Sequence, residues 1–233
     1  MQAIVEASGP SGLLRGVYLQ AQGPDAPLII VIPGSGPTDC NGNSPLGLNA
    51  STYRLLAEAL QSRGVSTLRI DKRGMYSSAT VVADADSLTI DDYAEDVRVW
   101  MKVARNELTA KSVWLLGHSE GGLVAMLAAR ISTSLAGLVL IAASGRPLGT
   151  LLRAQLRANR GNTPLLPQAV AAIDALEKGQ TFDTGDMHPA LLPLFRPAVQ
   201  HFLMSAFALD PCQLLEQCSK PILILHGLED IQV

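Results

Sequence analysis

The sequence has few aromatic residues and little charge. Only 4% of its 233 residues are aromatic and 17% are charged, whereas 48% are hydrophobic. Few aromatic side chains argue against a surface on which nucleic-acid bases stack. A net charge of −3 and a pI near 5.8 also provide no basic face for a polyanion. This composition excludes an intrinsically disordered chain, so we expect a folded protein without a nucleic-acid partner.

Cysteine is scarce as well. The three cysteines, Cys40, Cys212 and Cys218, cannot all pair, and none belongs to a Cys-x-x-Cys motif. This pattern disfavours both a disulfide framework and a zinc site. We therefore expect reduced thiols, no bound metal and no other cofactor.

Long hydrophobic runs are missing too. A membrane span needs about 18 or more apolar residues, and the apolar run over 135–143 is only as long as a strand. The first residues contain neither the basic region nor the apolar core of a signal peptide. These observations predict a cytoplasmic protein with no membrane association.

Strand-like and helix-like segments alternate over the first two thirds of the chain. Five short apolar runs have the length of buried strands. They cover residues 13–20, 28–32, 65–70, 113–116 and 138–142. A polar loop over 71–78 follows the third run. Near-continuous apolar strands separated by helices predict a parallel sheet that is covered on both faces.

Three helical patterns separate these runs. The first begins at Ser51, and the second is capped by Asp91 or Asp92 and continues to about Asn106. The third, over 121–130, is apolar nearly all round, which is typical of a helix buried against a sheet. The predicted apolar face of the first helix consists of Leu55, Leu56, Ala59 and Leu60.

The alternation stops near residue 145. Residues 145–210 contain several prolines and no convincing strand, and 221–225 resumes the strand pattern. Amphipathic helical pieces cover 148–158, 168–178 and 198–209. A helical insertion between two strands predicts a cap over one end of the sheet. The predicted organisation is an α/β core over 1–145, a helical cap over 146–212 and a resumed core over 213–233.

One motif in the sequence indicates catalytic chemistry. Gly117-His118-Ser119-Glu120-Gly121 is a G-x-S-x-G sequence between a predicted buried strand and a predicted buried helix. The sharp turn leaves no room for side chains at the two glycines and exposes the serine hydroxyl. The following helix N-terminus presents N–H groups to a developing oxyanion. A second glycine-rich run, residues 34–36, lacks the Gly-Lys-Ser/Thr of a phosphate loop and the spacing of a dinucleotide fingerprint.

With these features the chain resembles the α/β-hydrolase superfamily over about residues 13–233. It is most similar to bacterial serine esterases of the serine-aminopeptidase-like branch. VIPGSGPTDCNGN (31–43) resembles the oxyanion-side loop of that group, and DKRG with Ser77 resembles the loop after its fourth strand. GLEDIQV (227–233) resembles the loop that carries the catalytic acid, and FRPAVQ (195–200) resembles part of its cap.

The resemblance implies a role for individual residues. Ser119 would be the nucleophile, which needs an adjacent base to become reactive. The backbone N–H groups of Glu120 and Ser35 would form the oxyanion hole. Asp230 would be the acid that orients the base, in the chain order Ser, Asp, His, and the neighbouring Glu229 is excluded from this role.

The catalytic base is the one triad residue for which the sequence shows no counterpart. In the superfamily the catalytic histidine follows the acid after one more strand, and no histidine follows Asp230 here. For His118, His188, His201 and His226 a structural role is the favoured interpretation. We therefore expect that the last strand and helix of the fold are absent and that the 233 residues are weakly active or inactive. The strand over 221–225 would be an exposed edge with a tendency to self-associate.

Several residues depart from the family pattern. Tyr76 stands where a second glycine is usual, and Cys40-Asn41 replaces a common charged pair. Asp39 and Arg73 are expected to brace loops. Cys40 is either a reactive thiol or an inert loop thiol, and the inert interpretation is favoured.

The resemblance implies hydrolysis of a carboxylic ester through an acyl-enzyme on Ser119. A cap rich in leucine, alanine and proline favours a small-molecule ester with an apolar acyl or alcohol group. Thioester and amide substrates stay open because the same triad serves all three. The alternative is a catalytically degenerate hydrolase fold that binds a ligand or partner. Nothing in the sequence specifies an oligomeric state.

Overall fold

The computed structural model describes residues 1–23, 25–82, 84, 86–130, 132, 134–230 and 233. The strands among these residues are β1 (Gln2–Ser8), β2 (Leu13–Leu19), β3 (Leu28–Ile32), β4 (Asn43–Ser44), β5 (Leu48–Asn49), β6 (Ser66–Ile70), β7 (Val113–His118), β8 (Gly137–Ile141) and β9 (Ile222–Leu225). The main sheet has the order β1-β2-β6-β3-β7-β8-β9, and β4 and β5 form a separate hairpin. Within the main sheet, the pairs of β1 with β2 and of β2 with β6 are antiparallel, and the other four pairs are parallel. This mostly parallel sheet confirms the predicted fold class.

Helices lie between successive strands along much of the chain. The α-helices of the described residues are α1 (Thr52–Gln61), α2 (Ile90–Asn106), α3 (Glu120–Ala129), α4 (Leu148–Ala158), α5 (Leu166–Glu177), α6 (Leu192–Phe195), α7 (Pro197–Phe207) and α8 (Pro211–Glu216). Two 3₁₀ segments cover Tyr76–Val81 and Arg160–Leu165. No helix in this part of the chain combines the length and the apolar character needed to cross a bilayer.

The central strands of the sheet are buried on both faces, as their apolar sequences predicted. Alternate residues of one strand point to opposite faces. Ile30 and Ile32 of β3 belong to the larger core, together with residues of α2 and α3. Val31, between them, packs instead with Tyr53 of α1 and with Leu116 of β7. Two separate apolar layers therefore hold the central strands in place.

The structure corrects the predicted face of α1. Leu55 is 52% exposed and Ala59 is also exposed, whereas Tyr53 and Ala57 are buried. Both sides of the helix carry apolar residues, so periodicity alone did not separate them. The Tyr53 ring fixes the choice because it packs in the apolar cluster and its hydroxyl hydrogen-bonds to His118.

The start of α2 is also different from the prediction. Thr89, and neither Asp91 nor Asp92, is the N-cap residue. The Thr89 side chain accepts a hydrogen bond from the Asp92 N–H, and the Asp92 carboxylate accepts one from the Thr89 N–H at 2.9 Å. This reciprocal capping box satisfies two backbone donors that the helix itself leaves free.

The region over 146–212 is helical, and the described residues there include no strand. A separate apolar cluster holds it together, with Ile173 of α5, Phe195 of α6 and Leu203 of α7 among its members. At the far end of the sheet, β9 pairs only with β8 among the described strands. Its residues Ile224 and Leu225 are 60% and 45% exposed. The predicted exposed edge is therefore present in this structure.

Candidate functional site

The G-x-S-x-G motif forms the sharp turn that its sequence context predicts. β7 ends at His118, α3 begins at Glu120, and Ser119 alone connects them with φ 53° and ψ −122°. A Cβ on Gly117 would lie 2.2 Å from the Gly121 carbonyl oxygen. Such contacts exclude any side chain at the glycine, and the strained serine conformation costs about 1–3 kcal/mol. The surrounding structure therefore forces the serine into this position.

A cavity of about 580 Å³ opens at this turn. Ser35, Ser119 and Glu120 all line it, so the structure brings together three of the four predicted site residues. Its other walls come largely from the helical region. The apolar lining includes Leu123, Leu148, Leu151, Leu152, Leu194, Leu203 and Pro211, and the polar lining includes Ser144, Arg146, Gln155 and Asn159.

Two residues that line this cavity, Ser35 and Glu120, have backbone N–H groups with no acceptor among the described residues. Glu120 is the first residue of α3, and the N–H of a first helical residue has no acceptor within its own helix. The Ser35 N–H likewise has no acceptor among the hydrogen bonds of the described residues. Free N–H donors at a helix N-terminus are suited to stabilise an anion.

Gly34, which precedes Ser35, is held on both sides of its backbone. Its carbonyl oxygen accepts a hydrogen bond of 2.7 Å from Lys72 Nζ, and its N–H donates to the Tyr53 hydroxyl at 3.2 Å. Lys72 Nζ also lies 3.3 Å from Glu120 Oε1 and 5.4 Å from the centre of the Tyr93 ring. The Lys72 side chain is only 4% exposed. Lys72 belongs to the DKRG stretch, whose sequence pattern predicted no role for it.

The first three residues of the polar loop after β6, Asp71, Lys72 and Arg73, are buried. Asp71 accepts hydrogen bonds from the Cys40 N–H at 2.7 Å and from the Ser77 N–H at 3.2 Å. Arg73 donates two hydrogen bonds of 2.6 Å to Asp96 of α2. Asp71 and Arg73 thus connect this loop to the oxyanion-side loop and to α2.

The residues that depart from the family pattern also lie near this loop. The Tyr76 hydroxyl donates to the Pro37 carbonyl oxygen, and Tyr76 has a positive φ of 46°. Asp39 accepts hydrogen bonds from the N–H groups of Asn41 and Asn43. Tyr76 therefore connects the two loops, whereas Asp39 braces its own loop.

Cys40 is buried, and its environment disfavours a thiolate. Burial, reinforced by the nearby Asp71 carboxylate, raises the pKa of the Cys40 thiol to about 12. A thiol with this pKa is almost wholly protonated at neutral pH and is a poor nucleophile. This environment supports the inert interpretation of Cys40. Cys212 and Cys218 are free thiols as well.

Asp230 lies in the turn after β9, where its N–H donates to the Gly227 carbonyl oxygen at 3.1 Å. It is not among the described residues that line the cavity. Its charge nevertheless acts on His118, because burial lowers the pKa of His118 and the Asp230 carboxylate opposes that shift. Ile231 and Gln232, which belong to the predicted acid loop, lie outside the described residues.

All four histidines are described, and none is among the described residues lining the cavity. His118 Nδ1 lies 2.8 Å from the Tyr53 hydroxyl, on the side of α1. His188 Nδ1 accepts a hydrogen bond from the Ala190 N–H, and His201 and His226 are exposed. The structure thus brings no imidazole of the described chain to the Ser119 hydroxyl.

The described residues also contain no group of three or more histidine, cysteine, aspartate or glutamate side chains that could hold a metal ion. The cavity of the described residues combines one strained serine hydroxyl with the backbone N–H groups of Ser35 and Glu120.

Solved structures share this arrangement of strands and helices. DcsB, solved in complex with its substrate analogue, is 20% identical with a TM-score of 0.65, over 100% of this chain and 83% of that one. The α/β hydrolase GrgF from Penicillium sp. sh18 is 18% identical with a TM-score of 0.56, over 97% and 90% of the two chains. The Pyrococcus furiosus esterase Pf2001 is 15% identical with a TM-score of 0.60, over 100% and 73%. At these identities the likeness establishes the fold.

None of the curated proteins compared with the chain matches it. Residues 46–233, which include the serine turn and the acid loop, match the family described as serine aminopeptidase S33, Hydrolase_4. The chain therefore belongs to this family and is a hydrolase of the α/β-hydrolase fold.

Proposed function

We propose that this hydrolase cleaves carboxylic esters through an acyl-enzyme on Ser119. The observation that carries the proposal is the strained Ser119 conformation at the end of β7, in a cavity that Ser35 and Glu120 also line. Strain at a non-glycine residue persists only where the surrounding structure enforces it, and such residues cluster at active sites. The family membership and the esterase fold of Pf2001 support the same reaction class.

The proposed reaction has two steps. The Ser119 oxygen attacks the ester carbonyl carbon while its proton passes to a base, and the N–H groups of Ser35 and Glu120 stabilise the resulting oxyanion. Each such donor contributes about 3 kcal/mol to transition-state stabilisation. The carbon–oxygen bond to the alcohol then breaks, the alcohol leaves with a proton, and water releases the acid from the acyl-enzyme. Asp230 has the role of orienting the base.

The base in this proposal is not one of the four described histidines, since none of them lines the cavity. Loss of a triad member lowers kcat by orders of magnitude but leaves the contribution of the oxyanion hole. We therefore expect slow turnover by these 233 residues. Added imidazole should accelerate it, because a free imidazole can enter the cavity and accept the serine proton.

The proposed substrate is a small molecule with an apolar acyl or alcohol group. We assign residues 1–145 and 213–233 to the catalytic core and 146–212 to a cap. Helices α4, α6 and α7 of this cap supply leucines to the cavity, and apolar walls of this kind bind apolar groups. The polar residues Ser144 and Asn159 leave one part of the wall able to hydrogen-bond.

The experiment is an ester panel with Ser119→Ala as its reference. Nitrophenyl esters of increasing acyl length are assayed with and without imidazole, and the Ser119→Ala rate is subtracted because imidazole itself hydrolyses such esters. We expect Ser119-dependent turnover that rises with imidazole and is highest for medium-length acyl chains. Turnover that survives Ser119→Ala in full would refute the assignment of the nucleophile.

A second candidate is binding without turnover, which the lack of a histidine at the cavity favours. In that case no ester would give Ser119-dependent turnover, with or without imidazole. The same esters would still bind with saturation in calorimetry. Calorimetry on Ser119→Ala, which cannot form an acyl-enzyme, supplies the binding reference for both candidates.

A further inference from the structure

Lys72 is a buried cation that the proposed mechanism does not use. Its ammonium group contacts the loop after β3 and the first residue of α3, which carry the two free N–H donors. Its side chain is 4% exposed, and that of its partner Glu120 is 13% exposed. A buried ion pair of this kind contributes little net stability because both charges lose their hydration. Its position between the two donor segments therefore calls for another explanation.

The contact with Gly34 has a direct geometric consequence. The Gly34 carbonyl and the Ser35 N–H belong to one planar peptide unit and point in opposite directions. The 2.7 Å hydrogen bond from Lys72 Nζ to the Gly34 oxygen therefore also fixes the direction of the Ser35 N–H. A cation on the carbonyl polarises the peptide unit as well, and this polarisation makes the N–H a stronger donor.

The contact with Glu120 links the second donor to the same ammonium group. Glu120 Oε1 lies 3.3 Å from Lys72 Nζ, and Glu120 is one of the residues that line the cavity. Gly34 is also held from its other side by the Tyr53 hydroxyl, at 3.2 Å. Lys72 thereby connects the two segments whose spacing sets the distance between the donors.

We propose that Lys72 is a positioning residue for the oxyanion hole, because its ammonium group orients the Gly34–Ser35 peptide and ties it to Glu120. This inference rests on the function proposed for Ser119. Lys72 itself lies behind the donors and does not touch the substrate. Its effect is expected in the transition state, where the oxyanion forms, and not in ground-state binding.

The first test is kinetic. Lys72→Met keeps an apolar side chain of similar length and removes the charge, and the exposed Lys102→Met on α2 is the matched control. We expect Lys72→Met to lower kcat about 10- to 100-fold with KM changed less than about 3-fold, since deletion of a whole donor costs about 10²–10³. Lys102→Met should change neither constant. An unchanged kcat in folded Lys72→Met would overturn the inference.

The second test does not depend on turnover. The carbonyl ¹³C shift of Gly34 and the amide ¹⁵N shift of Ser35 report the polarisation of this peptide directly. Both should move in Lys72→Met and stay in place in Lys102→Met. If the wild-type chain shows no Ser119-dependent turnover, the proposed function fails, and these two shifts still decide the role of Lys72. Unchanged shifts in Lys72→Met would refute it.

Glu120→Gln covers the case in which Lys72→Met does not fold. This variant keeps the Glu120 N–H and the lysine but removes the carboxylate that anchors the ammonium group. We expect kcat to fall about 3- to 10-fold, less than the cost of losing a donor, together with a smaller change in the Gly34 ¹³C shift. If kcat and the shift both match the wild type, Lys72 does not position the donors.

Discussion

The two sides of the candidate site are built in different ways. On the donor side, Ser119 follows the central strand β7 and Ser35 follows its neighbour β3, and both strands are packed between two apolar layers. On the acid side, Asp230 follows β9, whose residues Leu223 and Ile224 are 50% and 60% exposed. The donor side is therefore fixed by packing from every direction, whereas the acid side rests on one neighbouring strand.

Buried polar contacts also distinguish the donor side from the acid side. Lys72, Asp71 and Arg73 tie the loop after β6 to the donor loop and to α2. On the acid side, the Asp230 N–H donates to the Gly227 carbonyl oxygen across a turn. Donors must meet an oxyanion within a few tenths of an ångström, whereas a carboxylate acts on a base through its field and one hydrogen bond. The molecule thus places its most rigid structure where the proposed chemistry needs the finest positioning.

The largest expected effect comes from breaking the polar anchor of the donor side. Arg73→Met leaves the buried Asp96 carboxylate without its cation, and loss of one partner of a buried pair costs about 3–5 kcal/mol. Lys111→Met is the control, because its ion pair with Asp25 is exposed and such pairs contribute about 1 kcal/mol or less. Urea unfolding measures both variants. Equal losses in the two variants would contradict the contrast.

Alanine substitution at two glycines, Gly121 on the donor side and Gly227 on the acid side, tests the same difference. A Cβ on Gly121 would lie 2.4 Å from the Ile32 carbonyl oxygen, whereas a Cβ on Gly227 meets nothing closer than 3.7 Å. We expect Gly121→Ala to lower the free energy of unfolding by about 3 kcal/mol, at the upper end of overpacking costs. Gly227→Ala should change it by less than about 0.5 kcal/mol. Thermal unfolding measures both variants. If Gly121→Ala leaves the free energy of unfolding unchanged, the turn is not sterically forced.

The smallest effect is a pH dependence centred on His118. The Tyr53 hydroxyl accepts a hydrogen bond from the Gly34 N–H and lies 2.8 Å from His118 Nδ1, which holds the imidazole in a partly buried position. Burial lowers the pKa of His118 below its ordinary value of 6.5, despite the Asp230 carboxylate. The unfolded chain therefore binds more protons than the folded chain as pH falls. The contribution of His118 to the free energy of unfolding is complete above about pH 6.5 and decreases below it.

His118→Asn keeps an acceptor for Tyr53 but cannot titrate in this range. The difference in unfolding free energy between wild type and His118→Asn should shrink as pH falls from 7 to 5. Denaturant titrations at several pH values measure it. A difference that stays constant over this range would show that His118 has the same pKa in the folded and unfolded chain.

Much of the fold was predictable because local signals agree with the tertiary structure. The apolar run over 28–32 matches β3, and the helical pattern over 148–158 matches α4. The face of α1 was not predictable, since Tyr53 is selected by a distant histidine and not by periodicity. The cap of α2 required Thr89 and Asp92 to be considered as a reciprocal pair.

At the site, the motif predicted the serine turn because the required glycines are adjacent in sequence. The role of Lys72 was not visible in the sequence, because 38 residues separate it from Gly34 and 48 from Glu120. A lysine next to an arginine after a buried strand predicts a solvent-exposed loop. Only the packing of β3, β6 and β7 side by side brings these groups together.

The central claim is that Ser119 is a reactive nucleophile on the rigid side of the site. The most direct measurement is labelling with a fluorophosphonate, followed by mass spectrometry of the proteolytic peptides. The serine oxygen bonds to phosphorus, the P–F bond breaks and fluoride leaves, while the hydroxyl proton passes to a base and the phosphonyl group stays on the serine. We predict an adduct on Ser119, accelerated by imidazole and missing from Ser119→Ala. An adduct on any other residue, or a wild-type chain that stays unlabelled with imidazole present, would contradict the claim.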